Sequence, residues 1–351
     1  METEKGPAYK YPKTELIALS DQFIFLSDPK GLILVDYDGT MSKKGDVALE
    51  ILIESMTRLL GKPQLGEVLL KEIIAYQRSV GSMSIVPEDF YQGKVDSING
   101  ESVALTLPFF MAAKIEDQQV KNLAREKIEL MPGIEQMSRS MKEKGLAMGV
   151  ITTSCSQGCE HLREALDISD KNIIASHLPL DDFTKRWTNK NEEGAIVVDF
   201  LGKLSLNLEL GESEQSVSAL GDFYQSLEGT QLKEFIDEVL VVGGQNKAFL
   251  VHHLVKRFQE KRGRPFNYDD VVYVGDSTTD RVVLWRVKEK EGLSIVINSE
   301  RADVLAQGNL SLTTGNLNDL SLVVEHYLET GNLSSSADLC LSEGSKMEIL
   351  Q

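Results

Sequence analysis

The segment LILVDYDGTM, residues 32–41, closes an apolar run with two aspartates one residue apart, Asp36 and Asp38, followed by Gly39 and Thr40. Residues two apart on an extended chain face the same side. Carboxylates so placed raise each other's pKa unless a cation neutralises them. Other polar groups stand at comparable positions. Thr152, Thr153 and Ser154 follow an apolar run, Lys247 opens a long amphipathic segment, and Asp276 and Asp280 follow VVYVG. Carboxylate oxygens with few other ligands suit Mg²⁺, which keeps several waters and binds phosphate oxygens. Hydroxyls and a lysine suit a phosphoryl oxygen. The chemistry these parts can perform is phosphoryl transfer through an aspartyl phosphate.

Such groups need strand ends and helix starts to hold them. GLILV reads as a strand buried on both faces. FIFLS, 23–27, reads as a further short strand. From 46 to 130 the pattern is helical: DVALEILIESMTRLL sets Leu49, Leu52, Met56 and Leu59 on one stripe, and GEVLLKEIIAYQRSV does so with Leu69, Ile73 and Tyr76 or Gln77. PEDFYQGKV has the Pro and acids of a helix start, and DQQVKNLAREKIEL is another helix. A helix from Pro132 to Lys144, ended by Gly145, then leads into a strand over Leu146–Ile151. A short helix after Gln157 and the strand NIIAS follow. Successive βα units imply a parallel sheet.

Residues 178–243 interrupt the pattern again. AIVVDFLGKLSLNLEL reads as two strands joined by a Gly-Lys turn, and SVSALGDFYQSLEGTQLKEFIDEVL as helix. NKAFLVHHLVKRFQEK is an amphipathic helix, DVVYVG, LSIVIN and LSLTT are strands, and LNDLSLVVEHYLE is a closing helix. The expected organisation is an α/β core over 1–44 and 129–330, with a possible extra insertion at 178–243. A helical cap is expected over 45–128 and a mobile Ser-rich tail over 331–351.

The formal net charge of −17 argues against nucleic acid or an anionic membrane as partner, while leaving room for a locally cationic cleft. Cys155, Cys159 and Cys340 are an odd, low count that fits a reducing compartment. Cys155 and Cys159 lack neighbouring partners for a zinc site and read as buried or idle thiols. His252 and His253 fall in mid-helix and point apart, so they read as surface or packed residues. METEKGPAYKYPK has no apolar core, and no apolar run reaches bilayer length. A soluble, cytoplasmic protein is expected.

DYDGT, then VITTS, then a lysine near a helix start, then VGDSTTD, resemble in their order the motifs of haloacid dehalogenase-like (HAD) phosphatases. The resemblance covers roughly 31–44, 130–176 and 245–328. It implies a Rossmann-like core, a helical cap resembling that of phosphoserine phosphatase-like members, and Mg²⁺ as cofactor. Asp36 matches the nucleophile and Asp38 the general acid/base. Thr152 matches the phosphate-binding hydroxyl, with Thr153 and Ser154 as neighbouring alternatives. Lys247 matches the lysine that neutralises the phosphoryl group. Asp276 matches a metal ligand alongside Asp36 and the Asp38 backbone carbonyl. Asp280 matches an acid that ligates metal through water or orients Lys247. The Gly39 amide is expected to face the phosphoryl group. Lys43 and Lys44 could draw in an anion or simply be solvated, and Arg78, Lys94, Lys185 and Arg186 are further candidates with nothing to separate them. The implied activity is hydrolysis of a small phosphorylated metabolite. Phosphotransfer to another acceptor, as in mutases, and a non-catalytic binding role on the same fold are the alternatives.

Overall fold

The computed structural model describes residues 13–44, 46–80, 100–209, 216–331, 333 and 339–350. The PEDFYQGKV segment and Lys94 lie outside them. The centre is a seven-stranded sheet in the order β5-β4-β1-β6-β7-β8-β9. Its strands are β1 (Gly31–Val35), β4 (Leu146–Cys155), β5 (Ile173–Ser176), β6 (Val271–Gly275), β7 (Leu293–Ile297), β8 (Leu310–Thr313) and β9 (Lys346–Ile349). The first six in this order pair in parallel, and β9 runs antiparallel to β8. Every residue of β1, β6 and β7 is buried, as continuous apolar runs covered on both faces require. A two-stranded ribbon of β2 (Ser42–Lys44) and β3 (Glu129–Leu130) forms the neck below the first insertion.

The helices are, in order, α1 (Lys13–Asp21), α2 (Val47–Leu60), α3 (Gln64–Val80), α4 (Ser102–Leu105), α5 (Leu107–Ala112), α6 (Asp117–Lys127), α7 (Ile134–Glu143) and α8 (Glu160–Leu166). After them come α9 (Leu180–Arg186), α10 (Lys190–Glu209), α11 (Ser216–Ser226), α12 (Gln231–Glu238), α13 (Gly244–Lys261), α14 (Arg281–Glu289), α15 (Ala302–Leu305) and α16 (Asn318–Thr330). Asp46 caps α2 by accepting from the Leu49 N–H, and Gly61 ends that helix at φ 67°. The buried stripe of α2 is Val47, Ile51, Leu52, Ser55 and Met56, so Leu49 and Leu59 sit on its flanks.

The two insertions form one helical layer. Phe109 of α5 packs on Phe200 of α10 and Phe223 of α11, with ring centroids 6.1 and 5.4 Å away. Tyr76 of α3 stacks on Tyr224 of α11 at 5.2 Å, and the Tyr224 hydroxyl donates to the Leu105 carbonyl. Lys62 Nζ donates to Ser205 Oγ and Glu209 Oε1.

Four expectations change. AIVVDFLGKLSLNLEL is helix α10, not a hairpin, because Val197, Phe200, Leu201, Leu204 and Ser205 are the buried positions and their spacing is helical. FIFLS forms no strand. The Ile24 N–H and C=O bond instead to the side-chain amide of Asn172, while Phe23 is buried and Phe25 lies under Arg257. Residues 1–20 carry no pattern beyond a loose lead-in, yet their described part begins helix α1, which packs on α13. The tail is anchored over 339–350: β9 pairs with β8, and buried Asp319 accepts hydrogen bonds from Ser342 and Ser345.

Candidate active site

Ligands of open parallel sheets bind beyond the carboxyl ends of the strands, near the centre of the strand order. β1 lies between β4 and β6, and all three deliver their polar ends to one place. Asp36 follows β1 directly and is buried; Asp38 is half-buried, and its Oδ1 is closed from solvent without a hydrogen-bond partner. Thr152, Thr153 and Ser154 stand in the last residues of β4, just before Cys155. β6 ends at Gly275, with Asp276 next and Asp280 at the start of α14.

A cavity of about 440 Å³ opens over this point. Its floor includes Asp36, Asp38, Thr152, Thr153, Ser154 and Asp276, and its roof includes Leu70, Ile74, Gln77, Arg78 and Val103 from the first insertion. The cap sits close. A side chain at Gly100, whose φ is 101°, would lie 2.7 Å from Thr153 Cγ2.

Lys247 is fully buried in the first turn of α13, behind the cavity floor. Its Nζ lies 2.9 Å from Asp36 Oδ1 and donates to Asp280 Oδ1 at 2.7 Å. Burial opposes the ammonium charge, but Asp280 and Asp36 outweigh it and raise the lysine's pKa. Burial likewise works against charge on Asp280, and Lys247 reverses it, so that carboxyl titrates below its ordinary value. The other acids go the opposite way. Burial, then the Asp280 carboxylate, pushes Asp36 up to about 7 against the pull of Lys247. Asp276 rises well above its ordinary value through burial, Asp280 and Asp36. Asp38 does so through burial, Asp46 and Asp36.

A surplus of buried carboxylate calls for a cation. Asp36, Asp276 and Asp280 each offer an oxygen, all within 4.8 Å of one another. This donor set fits a hard divalent ion of the Mg²⁺ kind. Asp280, however, already accepts four hydrogen bonds. Lys247 and the Tyr273 hydroxyl reach Oδ1, and the Ser277 N–H and hydroxyl reach Oδ2. A carboxylate has about four lone-pair sites, so the open oxygens belong to Asp36 and Asp276, and Asp280 orients the lysine.

Gly39 plays a different part from the expected one. Its N–H donates to Ser42 Oγ inside the turn rather than into the cavity. Its φ is 77°, and a Cβ there would lie 2.3 Å from Asp276 Oδ2. Glycine is needed for close approach of the two strand ends. Thr152 Oγ1 accepts from the Ser154 N–H and stays buried at the cavity floor. The hydroxyls of Thr153 and Ser154 are closed from solvent and unpartnered, so all three remain phosphate-binding candidates.

Several contributing residues carried little local signal. Thr40 Oγ1 donates to Asp276 Oδ1 at 2.8 Å and holds that carboxylate; its place after Asp-Gly was the available hint. Tyr273, Ser277 and Asp46 act on the clustered carboxyls only through the folded chain. Of the other cations, Lys43 pairs with Glu129 and Arg186 with Glu238, while Arg78 reaches the cavity wall. His252 sits by the Tyr268 hydroxyl and His253 by Asp21. Cys155 and Cys159 are free and buried, and Cys340 is exposed. Among the described residues no helix is long and apolar enough to cross a membrane.

No protein-family model matches the sequence, and neither does any curated protein. Solved structures do. Gene product AF1437 from Archaeoglobus fulgidus superposes with a TM-score of 0.68 at 16% identity, over 92% of this chain and 91% of that one. That likeness establishes a shared fold. A phospho-aspartyl intermediate analogue of phosphoserine phosphatase aligns with a TM-score of 0.46 at 14% identity, over 84% of this chain and 98% of its own. A HAD family hydrolase from Salmonella enterica aligns at 0.41 and 14%, over 83% of this chain and 73% of its own.

Proposed function

We propose that this chain is a HAD-like phosphatase that hydrolyses a small phosphomonoester with the help of Mg²⁺. The observation that carries the reading is the convergence of Asp36, Asp38, Lys247 and Asp276 beyond three adjacent strands, beneath a roofed cavity. Asp36 and Asp276 would hold the cation, which supplies charge neutralisation for the transferring phosphoryl group.

Asp36 is the nucleophile. Its carboxylate oxygen forms a bond to phosphorus as the bond from phosphorus to the leaving oxygen breaks. Asp38, whose pKa burial and its acidic neighbours raise, gives a proton to the leaving oxygen. The ionised Asp38 then takes a proton from water. The water oxygen attacks phosphorus, the bond to Asp36 breaks, and inorganic phosphate leaves. Lys247 faces Asp36 throughout and offsets charge on the nucleophile and phosphoryl group. The cap supports exclusion of bulk water and a small leaving group, since the cavity measures about 440 Å³.

The test is a panel of small phosphate esters, with Mg²⁺ or with EDTA, read by release of free phosphate. Metal-dependent release that Asp36→Asn abolishes is expected. Transfer to an acceptor without free phosphate would favour the mutase-like reading. No turnover of any ester would favour a binding role.

A further inference from the structure

Tyr273 occupies the middle of β6 and is fully buried. Alternation along the strand turns Val272 and Val274 to one face of the sheet and Tyr273 to the other, where α13 and α14 pack. A phenol enclosed there must find a partner for its hydroxyl. The partner is Asp280 Oδ1, at 2.6 Å. The same oxygen receives Lys247 Nζ at 2.7 Å, and that ammonium stands 2.9 Å from Asp36 Oδ1. Four buried groups thus run in sequence from the back of the sheet to the nucleophile.

We propose that Tyr273 is a positioning residue for phosphoryl transfer, fixing the Asp280 carboxylate so that Lys247 is aimed at Asp36. The proposal rests on the phosphatase reading above. A carboxylate gripped by one flexible lysine can rotate and draw the ammonium after it. Here Ser277 holds Oδ2 and Tyr273 holds Oδ1, so the carboxylate plane is set before the lysine arrives. Besides Asp280 and Asp36, Lys247 Nζ donates to Thr279 Oγ1 at 3.3 Å, a long contact that an incoming phosphoryl oxygen can replace. Preorganised donors of this kind act without reorganisation during the reaction.

The bland alternative is that Asp280 merely satisfies a buried phenol. Tyr273→Phe separates the two, because it removes one oxygen and keeps the shape. A crystal structure of the variant is read independently of turnover. The proposal expects a rotated Asp280 carboxylate and a Lys247 ammonium withdrawn from Asp36. Unchanged distances overturn it, as does a variant that fails to fold. The kinetic arm expects kcat to fall about tenfold or more with KM little changed, as for an interaction made mainly in the transition state. An unchanged kcat in an active enzyme overturns the proposal. If the wild type turns over no ester, the phosphatase reading fails, and the crystallographic arm still decides the role of Tyr273.

Discussion

Lys247 Nζ stands 2.9 Å from Asp36 Oδ1, with the lysine side chain wholly closed from solvent. The contact joins the first turn of a helix to the end of the central strand, and a second carboxylate, Asp280, grips the same ammonium from behind. Removing one partner of a buried pair leaves an uncompensated charge, which costs about 3–5 kcal/mol. Lys247→Met is expected to lower the denaturation free energy by that order and to abolish turnover. Urea unfolding, monitored by circular dichroism, checks the first part. A loss confined to turnover would show that the two carboxylates tolerate each other unpaired.

The raised carboxyls give the metal-free protein a pH dependence. Asp36 titrates near 7 in the folded chain against an ordinary value of 3.8. Between those values the folded state holds the proton and the unfolded state has lost it. Stability is therefore fully present at low pH and falls as pH rises toward 7. Asp38 and Asp276 act in the same direction, and Asp280 in the opposite one. Thermal midpoints in EDTA are expected to drop across this window, and Asp36→Asn is expected to flatten the slope. Mg²⁺ is expected to restore the midpoint at neutral pH. An EDTA midpoint that rises from pH 5 to 7 would contradict the charge surplus.

Gly39 lets Asp276 approach the turn after β1. Gly39→Ala places a methyl group against that carboxylate and also meets a φ of 77°, which favours glycine. The expected outcome is Mg²⁺ affinity weakened at least about tenfold, by analogy with loss of groups that orient metal ligands. Calorimetric Mg²⁺ titration measures it. Gly229→Ala is a useful comparison: its φ is 80° and its Cβ would meet nothing within 4 Å, so it carries the backbone strain alone. Equal affinities in the two variants would remove Gly39 from the site.

The two insertions share an aromatic core, in which Phe109 of the first lies 5.4 Å, centroid to centroid, from Phe223 of the second. Phe223→Ala is expected to cost about 3–5 kcal/mol, as large-to-small changes of buried phenylalanine do. It also loosens the roof, so KM for the best ester should rise more than KM for a minimal aryl phosphate. A variant with wild-type stability would indicate that the insertions pack independently.

The strand ends were legible in the sequence because parallel strands buried on both faces leave unbroken apolar runs, and polar residues after such runs stand out. Asp36, Asp38, Thr152 and Asp276 were found that way. Helix α10 was hidden because its apolar residues also alternate and Gly202-Lys203 imitates a turn. Its helical period shows only once Phe109 and Phe223 define which face is covered. Strand β9 depends on pairing with β8, a contact with no local pattern. The work of Thr40 and Tyr273 was hidden for a similar reason, since each holds a carboxylate that another stretch of chain supplies. The hydrogen bond from the Gly39 amide to Ser42 lies within the turn itself and has no pattern in the sequence.

The most direct test of the central claim is a rapid-quench experiment with a turned-over phosphate ester, followed by mass spectrometry of the peptide containing Asp36. The account predicts a phosphoryl group on Asp36 at early times with Mg²⁺ present, absent from the Asp36→Asn chain. Phosphate release at the wild-type rate from Asp36→Asn, or a phosphoryl group on a different residue, would contradict it.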